Sequence, residues 1–378
     1  VKSQYNIGII GYGGFGRFLH YHWNALDHIR VAAVADQRPM DPGTGIRIYA
    51  DWNEMLQDPD LDIIAVATPP CFHADMACAA MEAGKHVLIE KPLAVTLKDA
   101  RRIIQARDHN NRIACLDYMF RFNPIVLALR HINASSELGQ LRHVAVENLA
   151  QDSGLPYDHW FWDKSVSGGI FIEHGVHFFD LVRYVSGQSH IGVTAFSNWR
   201  NKHQEDQVYA LVKHSGGLLA AHYHAFSRPG FFETTSIKLV FDLAQIEVRG
   251  WIPLTGTITA LINAESKQVL DVLPGFQIDR SAPIDLLKDD SRPEGWGDAS
   301  GENHFVTSGG TAYGVDTMIE GRFSTGRMKG EVYGSCVQAV LLDMIKAIED
   351  TSHQLAVPLE EAFESLAIAI EADQSANA

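Results

Sequence analysis

The chain has 378 residues, enough for two domains at roughly 150 residues each. Hydrophobic residues make up 46% and charged residues 20%, which excludes a disordered chain. A formal net charge of −15, with no run of Lys and Arg to offset it locally, argues against nucleic-acid and membrane-surface partners.

Short apolar runs at 6–10, 30–35, 62–67, 86–89 and 113–117 alternate with helical patterns at 15–26, 72–83 and 97–110. That alternation predicts a parallel sheet with helices on both faces. Gly84 sits where a left-handed C-cap belongs, and Thr96 with Asp99 predicts an N-cap with an approximate capping box. Cys71 and Cys78 read as lying on one helix, two turns apart and too far for a disulfide. With Cys115 and Cys336 they form no CxxC pair, so free thiols in a reducing compartment are expected. No apolar stretch approaches the ~18 residues that span a bilayer. Residues 1–8 run directly into the first strand, leaving no room for a signal segment, and the expectation is a soluble cytoplasmic protein.

The pattern changes after Asn123-Pro124. A helix to about residue 132 is followed by two-residue alternation at 141–148, 207–214, 218–224, 236–241 and 245–249. Ser215-Gly216-Gly217 and Asp242-Leu243-Ala244 read as hairpin turns between successive runs. A large, mostly antiparallel open sheet in an α+β domain over 123–378 is predicted. Residues 274–334, rich in Gly, Pro, Asp and Ser, read as long ordered loops or an insertion. Helices near 335–349 and 359–374 close the chain, compatible with packing in the second domain or back on the first.

Within the first domain, residues 1–122, the strand at 6–10 leads into Gly11-Tyr12-Gly13-Gly14-Phe15-Gly16 and then a helix. This is G-x-G-x-x-G in the strand–turn–helix context of a Rossmann domain, where Gly11 makes the tight turn, Gly13 admits a pyrophosphate and Gly16 lets helix and strand approach. Gly14 and Phe15 begin the helix whose free N–H groups would hold the phosphates. Asp36 ends the second predicted strand and is placed to bind both ribose hydroxyls, favouring NAD; Arg38 keeps NADP as the alternative. Thr68 and Pro69 follow another strand at its carboxyl end and should border the cofactor.

Ile89-Glu90-Lys91-Pro92-Leu93-Ala94 resembles the E-K-P motif of the glucose–fructose oxidoreductase / inositol dehydrogenase (Gfo/Idh/MocA) family. Ala67-Thr68-Pro69-Pro70 with His73, Glu82 to Val87, and Tyr118 with Arg121-Phe122-Asn123-Pro124 agree with that resemblance. So does Gly168-Gly169 followed by Glu173-His174-Gly175-Val176-His177 and Asp180, which is similar to the family's G-G-x-x-x-D-x-G-x-H-x-x-D stretch. The resemblance implies a nicotinamide-dependent oxidoreductase acting on a sugar or polyol. It implies Glu90, Lys91 and His73 beside the cofactor, and Lys91, Tyr118, Arg121, Trp160, Glu173 and His177 beside the substrate. Glu173 stands where the family usually carries aspartate, one methylene shorter.

The chemistry also follows from the residues. An ammonium at Lys91, at the sheet's ligand-facing edge, would stabilise a developing alkoxide. Glu173 and His177, four apart on a helix, would form a base and its orienting carboxylate, with Asp180 a second candidate orienter. Gly168-Gly169 suggests close approach of backbone to a ligand, and Trp160 and Trp162 read as a loop over the pocket. The E-H-x-x-H order is not the H-E-x-x-H of zinc proteases, so no metal is expected. The reading is an NAD-dependent dehydrogenase of a secondary alcohol. An NAD-dependent glycosidase of the same family and a non-catalytic nucleotide-binding sensor are the alternatives. The open sheet is expected to join a homodimer or homotetramer.

Overall fold

The computed structural model describes residues 2–284 and 305–378. Six strands, β1 (Tyr5–Ile10), β2 (Ile29–Ala35), β3 (Arg47–Tyr49), β4 (Ile63–Val66), β5 (His86–Ile89) and β6 (Ala114–Leu116), form a parallel sheet in the order β3-β2-β1-β4-β5-β6. β4 and β6 are buried throughout, as strands covered on both faces must be, which is why they read as unbroken apolar runs. β3 escapes the sequence reading because it has three residues, two of them exposed. The strand order reverses between β1 and β4, and the carboxyl ends there open a crevice.

Local signals fix the helix ends. The Thr96 hydroxyl accepts the Asp99 N–H at 3.0 Å and starts helix Leu97–Asn110. The return bond runs from that hydroxyl to the Asp99 carboxylate (2.8 Å), so the reciprocal bond to the Thr96 N–H that defines a capping box is missing. Gly84 takes φ +81° just past helix His73–Glu82. Cys71 lies in the 3₁₀ turn Pro70–Phe72 before that helix, not on it, and all four cysteines are free.

The second sheet has nine strands: β7 (Leu141–Gln151), β8 (His190–Asn201), β9 (Gln204–His214), β10 (Leu219–Arg228), β11 (Thr234–Phe241), β12 (Ala244–Arg249), β13 (Thr255–Ile262), β14 (Gln277–Pro283) and, after the hairpin β15 (Phe305–Ser308)–β16 (Thr311–Gly314), β17 (Thr317–Ser324). Both predicted turns join antiparallel pairs, β9–β10 and β11–β12. One pair, β7–β10, is parallel. The region 274–334 is not only loop: β14 and β17 extend the sheet beyond β13, while 285–304 lies outside the described residues. β14 is hidden because it is an exposed edge with no apolar face to report, while β17 does alternate and is obscured only by the turn-rich residues around it.

Helix Leu359–Ala376 covers one face of β8, where Glu371 and Ser375 accept the Val193 and Ala195 N–H groups. Helix Lys329–Glu349 returns to the first domain, where the Val337 carbonyl accepts the Trp23 indole N–H at 3.0 Å and Gln338 donates to the His22 carbonyl at 2.7 Å. Among the described residues no helix is long and apolar enough to cross a membrane.

Candidate active site

A cleft of about 850 Å³ runs along the carboxyl ends of the parallel sheet and under the second domain. At one end, Gly11 adopts φ +93°, and a Cβ there would stand 2.5 Å from the Ala67 carbonyl oxygen. A Cβ at Gly16 would collide with the Gly11 carbonyl, so helix and turn can be this close only with glycine. Gly13 and Gly14 open onto the cleft beside Phe15. This cradle fits a pyrophosphate. Asp36 lies beyond it and accepts the Tyr12 N–H (2.9 Å) and two bonds from the Arg38 guanidinium (2.7 and 3.0 Å). Those Arg38 bonds hold the Asp36 carboxyl down at about 2.

At the other end stands Lys91, joined to Pro92 by a cis peptide bond. Its Nζ donates to Glu173 Oε1 (2.6 Å) and to the Glu173 carbonyl (2.9 Å), across the domain boundary. An ammonium has three N–H bonds, so one is left for a ligand. Glu173 lies in a single π-helical turn, Phe171–Gly175, running into helix Val176–Ser186. That turn breaks the α-helical register on which a Glu173–His177 hydrogen bond would depend. Glu173 binds Lys91 rather than the imidazole, and His177 Nδ1 is buried without a partner among the described residues. Asp180 does not orient His177 either, since it takes Arg121 at 2.6 and 2.9 Å and the Ser365 hydroxyl at 3.0 Å.

Burial, reinforced by the Lys91 charge, holds the His177 imidazole well below its ordinary pKa. The same causes bring His174 down to about 3. Both rings are therefore neutral near pH 7. Trp251 stacks on His174 (5.0 Å, 21°) and meets His177 edge-on (5.2 Å, 81°). His174 Nε2 lies 2.9 Å from Asn148 Oδ1.

The cleft brings together Gly11, Gly13, Gly14, Phe15, Asp36, Arg38, Thr68, Pro69, Glu90, Lys91, Trp160, Glu173 and His177. Gly16, His73, Tyr118 and Arg121 do not line it. His73 is fully buried and ties two loops, with its ring nitrogens 2.7 Å from the Pro92 carbonyl and 2.9 Å from that of Thr68. Arg121 is locked behind the site by Asp180, Glu361 and the Ala356 carbonyl, and Tyr118 is 1% exposed. Trp162 is buried, its indole bound to the Leu155 and Pro156 carbonyls, so only Trp160 of that pair faces the cleft. Gly168 and Gly169 lie outside the cleft lining, beside Ile172, Lys164 and Glu205. Asp117, Trp251 and Tyr333 also line the cleft without having been singled out in the sequence. Asp117 alone had a readable signal, as a carboxylate at the carboxyl end of a predicted strand.

Residues 5–118 match the oxidoreductase family with an NAD-binding Rossmann fold, and residues 126–244 match the Gfo/Idh/MocA C-terminal domain. The chain belongs to the Gfo/Idh/MocA family. Its first domain is accordingly an NAD-binding Rossmann domain. Family members similar to it include a levoglucosan dehydrogenase of Pseudarthrobacter phenanthrenivorans, 27% identical over 51% of this chain and 54% of that protein. An inositol 2-dehydrogenase of Saccharopolyspora erythraea is 28% identical over 72% of this chain and 80% of that one. The chain thus spans about half the length of the first of these relatives. Among solved structures, a levoglucosan dehydrogenase in complex with NADH and levoglucosan superposes with a TM-score of 0.74 at 18% identity, over 99% of this chain and 97% of that one, a likeness of fold.

Proposed function

We propose that this protein is an NAD-dependent dehydrogenase that oxidises a secondary alcohol of a sugar, polyol or sugar derivative. The observation that carries this reading is the meeting of Lys91 from the first domain with the Glu173–His177 turn of the second, in the same cleft as the dinucleotide cradle. Bound NAD supplies the hydride acceptor. Asp36 and the glycine turn hold its adenosine and pyrophosphate. The free N–H of Lys91 donates to the substrate hydroxyl and stabilises the oxygen as it gains negative charge. Glu173 fixes the lysine for that task. His177, kept neutral by burial, accepts the hydroxyl proton. Its weakened basicity makes the charge of Lys91 all the more necessary to acidify that hydroxyl. Trp160 and Trp251 offer apolar faces to a sugar ring and keep water from the reacting carbon.

A panel of cyclic polyols, aldoses, anhydrosugars and sugar acids, followed by the absorbance of the reduced coenzyme, tests the proposal. Turnover on at least one of them, abolished by Lys91→Ala, is expected. Bound NAD with no reduction across the panel would overturn the assignment.

A further inference from the structure

Two carboxyls at the floor of the cleft have no part in that scheme. Glu90 follows β5 and Asp117 follows β6, and these strands pair with Ile89 opposite Leu116, so the two residues emerge side by side. Both line the cleft. Glu90 Oε2 accepts the backbone N–H of Lys91 at 3.0 Å. Asp117 is 1% exposed, and neither of its oxygens accepts a hydrogen bond from an N–H or hydroxyl among the described residues.

Facing the pair are Lys91, the Cys115 thiol from β6, and Tyr333 and Cys336 from helix Lys329–Glu349. Burial keeps the two thiols and the phenol protonated. Asp343, farther along that helix, is bound to His353 and the Ala356 N–H. Among the described residues Lys91 is the cation that acts on both carboxyls, and Glu173 already neutralises it; Arg327 reaches only Cys336. Two adjacent buried carboxylates do not both remain ionised. Burial and the neighbouring Asp117 charge push Glu90 well above the usual carboxylate range, so Glu90 keeps the proton and its O–H faces the Asp117 carboxylate. In this strand order the half-sheet beyond the switch point takes the second nucleotide, which puts an unmatched negative charge at the nicotinamide end.

We propose that the Glu90–Asp117 pair, holding one proton and one negative charge, is a charge-selective element that favours the oxidised dinucleotide, with its cationic ring, over the reduced one, whose ring is neutral. The inference rests on the dinucleotide reading above. It gives the pair a role in oxidation, because a site tuned this way releases the reduced coenzyme more readily.

Calorimetric titration of the full chain with NAD⁺ and with NADH tests it, using Glu90→Gln and the double variant that adds Asp117→Asn. Glu90→Gln leaves the Asp117 carboxylate to carry the charge, so the ratio of the two Kd values should stay within about threefold of wild type. The double change removes the charge and should cut the preference for NAD⁺ by roughly tenfold or more. A double variant that binds both forms with the wild-type ratio overturns the inference, as does a Glu90→Gln variant that moves the ratio as far as the double. The wild type supplies an arm independent of folding in the variants. Burial raises Asp117 to about 6, so the preference should fade as pH drops through that value and the pair takes its second proton. A ratio that is flat across that range overturns the inference alone. Failure of either dinucleotide to bind overturns the dinucleotide reading, and this inference with it.

Discussion

Lys91 Nζ lies 2.6 Å from Glu173 Oε1 and 2.9 Å from the Glu173 carbonyl oxygen, so an ammonium offered by one domain is gripped by a turn of the other. Docking of the domains and closure of this end of the cleft are therefore linked. Without the second domain the Lys91 ammonium would lose both of these partners.

Lys91→Ala and His177→Ala should each lower kcat by about 10²–10⁴-fold, the usual loss when a positioned proton-transfer or alkoxide-stabilising group is removed. NADH affinity should survive both changes. Steady-state kinetics paired with a fluorescence titration of NADH separates the two effects, and undiminished turnover would remove that residue from the reaction.

Glu173→Ala leaves Lys91 with only a carbonyl partner in a buried setting. The lost charge-assisted bond should reduce kcat/KM by roughly tenfold to a hundredfold. Glu173→Asp, too short to keep the 2.6 Å contact without movement, should fall between wild type and alanine. Equal activity in all three proteins would show that the contact does not position the lysine.

Asp36→Ala should weaken NAD⁺ binding by roughly tenfold and narrow the gap to NADP⁺, because the carboxylate that repels a 2′-phosphate is gone. Arg38→Ala should act in the opposite sense, leaving Asp36 free to accept from ribose and making NADP⁺ the worse ligand. Paired Kd measurements for the two coenzymes check both directions.

Acid should destabilise this fold through its buried histidines. His177, His222 and His224 are held well below the ordinary pKa, His174 at about 3 and His214 at about 4, all chiefly by burial. Their native pKa values lie below the unfolded value, so their contribution is intact above about 6.5 and drains away as pH falls toward the native values. Each can steepen the loss by up to about 1.4 kcal/mol per pH unit. Denaturant titrations between pH 7 and 5 should show this slope, and His222→Phe should flatten it. A slope unaltered by that change would exclude His222 as a contributor.

Phe196, Tyr209 and Leu211 stand exposed on β8 and β9, on the side of the sheet that the helices leave uncovered. We expect this face to join copies of the chain into a dimer or tetramer. Sedimentation should report a multiple of the 41.8 kDa chain mass, dropping to one chain in Tyr209→Glu. A single-chain mass for the unmodified protein would sink the idea.

The parts of the site that were legible beforehand are those encoded by neighbours in the chain. The turn at Gly11–Gly16, Asp36 at a strand end and the Glu90-Lys91-Pro92 run all announce themselves within a few residues. Asp117, Trp251 and Tyr333 reach the cleft through strand pairing and a returning helix, distances over which local pattern carries nothing. Glu173 shows the limit from the other side: it stands four residues before His177, yet a π-helical turn directs its carboxylate to Lys91. Arg121 was misplaced for a related reason, because its nearest acids, Asp180 and Glu361, are remote in sequence. In the fold, β8 and β14 are the two edges of the large sheet, where a strand needs no clean apolar face, whereas β13 and β17 also lie outside the predicted runs although they are internal and alternate buried with exposed residues.

Helix Lys329–Glu349 brings Val337 to Trp23 and Tyr333 to the cleft floor, so the nucleotide-binding half is completed by polypeptide from the far end of the chain. Swapping substrate halves between relatives by a single splice near residue 122 would strip that half of its own lining. A working chimera needs more than one junction, with residues 2–122 and helix Lys329–Glu349 travelling as one inheritance.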